Sequence, residues 1–284
     1  MSRRRLILDV LKRGRTFSYG PDRSQRADLH LPTGPGPHPV MVVIHGGSWQ
    51  ARYGRIVMRA LIGDLTRRGW AAWNIEYRRV GNGGGWPQTF ADVAAAIDHL
   101  AELDVPLDLD RVEVLGHSAG GHLALWAASR EKLEPGMPGH LAGAPRVRLR
   151  RVISQAGVCD LEGAYRRWRG GAVLALMGDS PEQSPERYGA ADPLRLAPAS
   201  MPVLLVHGVA DETVSVKLSR SYAQAAKDAG GEVEMVEIEG DAGRHRAHID
   251  PRGVAWAAVT ERLHGHTGGR FHLLDSQAGS RDVR

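Results

Sequence analysis

The sequence predicts one α/β domain built on a doubly wound, mostly parallel sheet with helices on both faces. Three observations predict it. Short apolar runs alternate along the chain with stretches of helical spacing, the order that builds a parallel sheet from strand–helix–strand units. The chain has 284 residues, 42% of them hydrophobic, which suits one large domain with a packed core. The stretch Val112–Leu123, V-E-V-L-G-H-S-A-G-G-H-L, passes from an apolar run through a glycine-bounded turn straight into an alanine-rich helical pattern.

The elements follow in order. Residues 1–15 read as a basic N-terminal arm. Arg15–Tyr19 and Arg26–Leu31 alternate as an antiparallel opening hairpin does, with Gly20-Pro21-Asp22 as its turn. A breaker-rich loop leads to the first buried strand, Pro39–Ile44, which ends in His45-Gly46-Gly47-Ser48-Trp49. Ile56, Ala60, Leu61 and Leu65 have helical spacing over Ile56–Arg68, and Gly69 closes that helix. Trp70–Tyr77 is the next strand. The glycine run Gly81–Gly85 ends in Trp86-Pro87, and a helix over Phe90–Leu103 puts Ala94, Ile97 and Leu100 on one face. After the Val112 strand and its helix, Val147–Ala156 is strand again.

Periodicity weakens between Leu161 and Leu196. Insertions in such folds lie above the carboxyl ends of the strands, so residues 161–196 read as a small cap, with a purely structural connection as the alternative. Pro202–His207 is a strand leading to Asp211, Val216–Ala229 a helix, Glu232–Ile238 a strand and Pro251–Leu263 the last helix. The domain therefore spans 16–264, and the tail 265–284, rich in Gly, Ser and charge, is expected to be mobile.

Composition excludes several classes. The net charge of +5 comes mostly from arginine, clustered at Arg3–Arg5, Arg146–Arg151 and Arg166–Arg169. No nucleic-acid motif or interleaved aromatics accompany these clusters, so they read as solvated faces and helix ends. No apolar run reaches the length of about 18 residues that suggests a membrane span, and no secretory signal is read at the N-terminus. The single cysteine, Cys159, allows no internal disulfide, and a cytoplasmic protein is expected. The 13 histidines are dispersed without metal-ligand spacing, and Gly81–Gly85 lacks the Lys-Ser/Thr of a phosphate loop. No metal and no cofactor are expected. Oligomeric state stays open.

Ser118 lies in Gly116-His117-Ser118-Ala119-Gly120, between a strand and a helix, the context of a nucleophile elbow. Such a serine sits on a strained turn, and its flanking residues must lack bulk where strand and helix nearly touch. With an H-G-G loop ahead of it, and Asp211 and the loop Gly240–His248 after it, the chain resembles the α/β-hydrolases of the esterase/lipase type. The H-G-G-x-W and G-H-S-A-G-x-H-L motifs are most similar to the branch holding kynurenine formamidase-like and small carboxylesterase-like enzymes. The likeness runs from about Gln25 to about Leu263.

The resemblance implies a nucleophile at Ser118, a base at His245, an acid at Asp211, and oxyanion amides from Gly46, Gly47 and Ala119. An alcohol is a poor nucleophile and needs a base whose pKa lies near working pH, which histidine supplies. Asp160 is the backup acid. His248 is the rival base, but it directly precedes Ile249-Asp250-Pro251, where a side chain more often supports the turn. Arg244 stands where a glycine is more usual in the family. His122, one turn into the elbow helix, reads as a core residue, and His45, His117 and His207 as loop supports. Trp49 and Trp86 are candidate pocket walls, with core positions as the alternative. The implied activity is hydrolysis of a small carboxylic ester through an acyl-enzyme, with an arylformamidase acting on an amide as the nearest rival. A serine peptidase, or a non-catalytic binding protein on the same scaffold, ranks lower.

Overall fold

The computed structural model describes residues 14–263. Residues 1–13 of the expected arm and the expected tail 265–284 lie outside the described residues. Eight strands form one sheet in the order β1-β2-β4-β3-β5-β6-β7-β8. They are β1 (Arg15–Ser18), β2 (Arg26–His30), β3 (His38–Ile44), β4 (Ala71–Ile75), β5 (Leu107–His117), β6 (Leu149–Gln155), β7 (Val203–Gly208) and β8 (Val233–Ile238). β1 pairs antiparallel with β2, and β2 with β4, while every pair from β4 to β8 is parallel.

Side-chain alternation along the strands fills both faces. On β3, Val40, Val42 and Ile44 enter one core and Met41 and Val43 the other, as a period of two requires. The first face is covered by α2 (Gln88–Asp98), α3 (Ala119–Ala127) and α7 (Val216–Asp228), the second by α1 (Arg59–Arg67) and α8 (Val254–Leu263). Trp256 of α8 donates its indole N–H to Asp64 of α1 at 2.8 Å, so the two outer helices are joined. Between β5 and β6, Arg151 donates to both oxygens of Glu113 at 2.9 Å; both side chains are buried.

Several boundaries shift. The expected helix 56–68 opens as a 3-10 turn, Arg55–Met58, before α1. β5 starts at Leu107, five residues before the apolar run, because its polar first half still pairs with His38 and Pro39. The last helix begins at Val254 rather than Pro251: the Asp250 side chain accepts from the Arg252 amide and its carbonyl from Gly253, each at 2.9 Å, and these bonds make a turn first. Residues 161–196 hold three short helices, α4 (Leu161–Arg167), α5 (Gly171–Met177) and α6 (Pro185–Ala191). Trp126 of α3 is fully buried and donates to Ala190 O at 2.9 Å, fastening this segment to the elbow helix. Burial of a side chain this large contributes roughly 2–3 kcal/mol.

The sheet order places the site. The chain goes from β3 outward to β4 and then returns to the other side of β3 as β5. This reversal is a topological switch point, where loops leaving adjacent strands diverge and open a crevice at their carboxyl ends. The two loops are His45–Trp49 after β3 and the Ser118 turn after β5, set level by the pairing of Ile44 with Gly116.

Candidate active site

The elbow is built by close approach of backbones. Ser118 has φ 57° and ψ −121°, a conformation L-residues rarely hold. A Cβ on Gly116 would stand 2.0 Å from Gly120 O, and one on Gly120 would stand 2.1 Å from Ile44 O. The two glycines of the pentapeptide are therefore needed against each other and against β3. Ser118 accepts from Val158 and His122 amides at its carbonyl and donates its own amide to Gln155 O at 2.9 Å, which locks the turn over the end of β6.

Across the crevice, Gly47, Ser48 and Trp49 all have positive φ (116°, 53° and 54°). This left-handed run folds the H-G-G loop back beside Ser118, and Gly46 has no room for a side chain because a Cβ would meet His117 O at 2.6 Å. His45 anchors the loop from below. Its Nδ1 donates to Gly46 O and its Nε2 meets a Glu76 carboxylate oxygen, both at 2.7 Å. Tyr77 donates to His45 O at 2.8 Å, and Arg79 pairs with Glu76.

Three residues from distant loops meet above β5. Ser118 Oγ lies 2.9 Å from His245 Nε2, and His245 Nδ1 lies 2.7 Å from Asp211 Oδ2. An ionised carboxylate only accepts, so the Nδ1 proton faces Asp211 and the Nε2 lone pair faces the serine hydroxyl. Asp211 Oδ1 is occupied by the amides of Thr213 and Val214, each at 2.9 Å. Burial works to raise the Asp211 carboxyl, but the neighbouring imidazoles of His207 and His245 and the Val214 amide hold it well below the usual carboxylate range.

His117, adjacent to the serine, donates from Nε2 to His245 O at 2.9 Å and so ties the His245 loop to the elbow strand. The same loop is threaded past β7 by glycine: a Cβ on Gly208 would sit 1.6 Å from Gly243 O.

The other candidates sit elsewhere. His248 is fully buried behind His245, its ring centroid 6.4 Å from that of His117 and 6.3 Å from that of His207. Asp160 caps α4 by accepting from Gly163 N at 2.6 Å. His122 donates from Nε2 to Ala191 O at 2.9 Å, and burial lowers its pKa to about 4. His207 donates to Val214 O at 2.9 Å and takes the Ser219 hydroxyl at 2.7 Å, bracing the Asp211 turn. Arg244 pairs with Asp241 at 2.9 Å on the solvent side, away from the imidazole.

Two cavities reach Ser118. The smaller, about 250 Å³, is walled by Trp49, Val158, Trp168, Ala172 and Val214. The larger, about 350 Å³, is bounded by Gly47, Tyr53, Val57, His245, Arg246 and Ile249. Trp49 thus faces the site while buried to 1% exposure. Trp86 does not: it packs edge-on against Phe90, ring centroids 5.1 Å apart, because the segment runs directly into the core face of α2. Trp168, from the stretch of weak periodicity, takes the position expected of it. Sequence reasoning also passed over Tyr53 and Thr213, whose only signal was nearness to the H-G-G and Asp211 loops, and Glu76, which reaches His45 only through the fold. No group of histidine, cysteine and carboxylate side chains able to hold a metal is present among the described residues, and no helix among them is long and apolar enough to cross a membrane.

Comparison with known proteins agrees with this architecture. Over 239 residues the chain is 27% identical to esterase LipC of Mycobacterium tuberculosis (strain ATCC 25618 / H37Rv), covering 80% of this chain and 58% of that protein. Over 245 residues it is 25% identical to isoprenylcysteine alpha-carbonyl methylesterase ICME of Arabidopsis thaliana, covering 80% and 55%. The chain spans about half the length of the curated relatives it matches. Among solved structures it superposes on a truncated form of a carbohydrate esterase from gut microbiota with a TM-score of 0.74 at 20% identity, over 88% of this chain and 95% of that one. It superposes on the propionate-bound esterase Est2 of Thermogutta terrifontis with a TM-score of 0.69 at 24% identity, over 88% and 92%. These two likenesses establish the α/β-hydrolase fold. The sequence model of one family matches residues 27–225, a span that takes in the H-G-G loop, the elbow and Asp211, and by that match the chain belongs to the BD-FAE family.

Proposed function

We propose that this protein is a serine hydrolase that cleaves small carboxylic esters through an acyl-enzyme. The observation that carries the proposal is the hydrogen-bonded chain from Ser118 through His245 to Asp211, at 2.9 and 2.7 Å, on the floor of a crevice flanked by the left-handed H-G-G loop. His245 Nε2 takes the Ser118 proton as Oγ attacks the ester carbonyl. Asp211 holds the tautomer and stabilises the imidazolium without accepting the proton. The amide of Ala119, first in its helix and without an intrahelical acceptor, and the amides of Gly46 and Gly47 receive the oxyanion.

His245 then returns its proton to the leaving oxygen. The alcohol therefore lies on the His245 side, in the cavity of Tyr53, Val57 and Ile249, and the acyl group in the cavity of Trp49 and Trp168. At about 250 Å³ the acyl side is smaller than the roughly 300–1,000 Å³ of pockets for drug-sized ligands, which favours short acyl chains. Residues 161–196, which supply Trp168 and Ala172 to its wall, act as a cap in this reading.

The test is labelling with a fluorophosphonate followed by an ester panel. Wild type should gain one adduct, Ser118→Ala none, and acetyl and butyryl aryl esters should exceed palmitoyl esters in kcat/KM. Absence of an adduct at Ser118 refutes the nucleophile. Faster turnover of N-formyl aromatic amines than of every ester would make the substrate a formamide.

A further inference from the structure

The larger cavity carries a charge that the chemistry just described does not use. Arg246 follows His245 directly and lines that cavity together with Tyr53, Val57 and Ile249. Its neighbours on the loop are matched to carboxylates: Arg244 to Asp241 at 2.9 Å and Arg252 to Asp250 at 2.7 Å. Arg246 has no such partner among the described residues. No Asp or Glu lines the cavity, and the one carboxylate of the triad, Asp211, is engaged by His245 and two amides. A second guanidinium, that of Arg52, stacks over the Tyr53 ring at 5.0 Å from its centroid. Glu212, next to the cavity residue Thr213, is exposed and outside the lining. The rim on this side therefore presents apolar and aromatic surface crowned by positive charge.

We propose that Arg246 selects substrates whose alcohol portion carries an anionic group, a carboxylate or a phosphate, beyond an apolar or aromatic body. The proposal rests on the assignment of this cavity to the leaving group. A guanidinium fork recognises such groups through paired, charge-assisted hydrogen bonds. An apolar body against Val57, Ile249 and Tyr53 would leave the anion at the rim, where Arg246 meets it without crossing the reacting atoms. After acyl transfer the anionic alcohol departs toward solvent, and the acyl-enzyme on the Trp49 side is unaffected by its charge.

The experiment pairs two probes that differ only in charge. Turnover is measured with 4-acetoxybenzoate and 4-acetoxybenzamide, and binding with the released alcohols, 4-hydroxybenzoate and 4-hydroxybenzamide, by ligand-detected NMR. The readout is the ratio of anionic to neutral probe in wild type divided by the same ratio in Arg246→Ala, which cancels intrinsic reactivity and any general loss of activity. That quotient should be about tenfold in both measurements, larger against Arg246→Glu, smaller against Arg246→Lys, and should shrink in high salt. A quotient below about threefold, within the range of an ordinary surface pair, overturns the proposal. Failure of the esterase reading looks different: the neutral ester would not turn over in wild type, while the binding quotient would still decide the role of Arg246.

Discussion

Gly120→Ala puts the elbow under a defined load. The new Cβ would lie 2.1 Å from Ile44 O and 2.7 Å from His45 O, both backbone atoms, whereas ordinary contact begins at 3.4 Å. The shortfall of 1.3 Å is between backbone and Cβ, so no side-chain rotation can absorb it. Either the end of β3, carrying the H-G-G loop, or the start of α3, carrying Ser118, must move. Overpacking of this kind costs about 1–3 kcal/mol, and the gain of alanine over glycine within a helix offsets only about 0.5–1 kcal/mol of it. The Ser118–His245 bond, now 2.9 Å, would be stretched or bent out of reach by a shift of that size. A misplacement of about 1 Å at reacting atoms can cost about a hundredfold in kcat. Gly189→Ala in α6 is the internal control, because its Cβ meets nothing within 4 Å. It should be neutral or raise Tm by a few degrees, and it should leave kcat unchanged. Thermal melts and kcat on a fast aryl ester measure both variants. A Gly120→Ala protein with wild-type Tm and kcat would refute the steric reasoning.

Three more predictions follow from the same geometry. His245→Ala should lower kcat by several orders of magnitude, about 10⁴ for the related Asp211→Asn, while His248→Ala keeps most activity; the reverse ranking moves the base to His248. Arg151→Met leaves the buried Glu113 carboxylate unpaired and should cost about 3–5 kcal/mol in urea unfolding, with much of it recovered in Glu113→Leu/Arg151→Met; a double loss equal to the sum of the two single losses would show the pair is not coupled. Burial holds His122 and His248 at pKa values of about 4, against 6.5 in the unfolded chain. The unfolded state then binds more protons between those values, so the stability is fully present above about pH 6.5 and is lost as pH falls toward 4, by about 3 kcal/mol per pH unit at the steepest. A stability profile flat from pH 7 to 4.5 would contradict this.

The sequence by itself determined what depends on neighbours in the chain. Alternating apolar runs and helical spacings located the strands and helices, because those periods belong to the backbone geometry of each element. The Gly116–Gly120 turn was legible because glycine marks positions where two backbones touch, and Ser118 with it. Tertiary structure decided what depends on distance. His245 and Ser118 are 127 positions apart, and His248, three residues from His245, has the same chemistry; along the chain only the likeness of its loop to the family's favours His245. What separates them is the path of the Gly240–Ile249 loop, drawn over β7 where Gly208 meets Gly243 and held to β5 by His117. Packing partners likewise separated Trp86, turned against Phe90 of α2, from Trp168, which no local pattern singled out as a wall of the site. The unpaired charge of Arg246 is of the same kind. In the sequence it is a cation beside the candidate base, like Arg244, and only the folded loop, which gives Arg244 and Arg252 their carboxylates, leaves it facing the cavity without one.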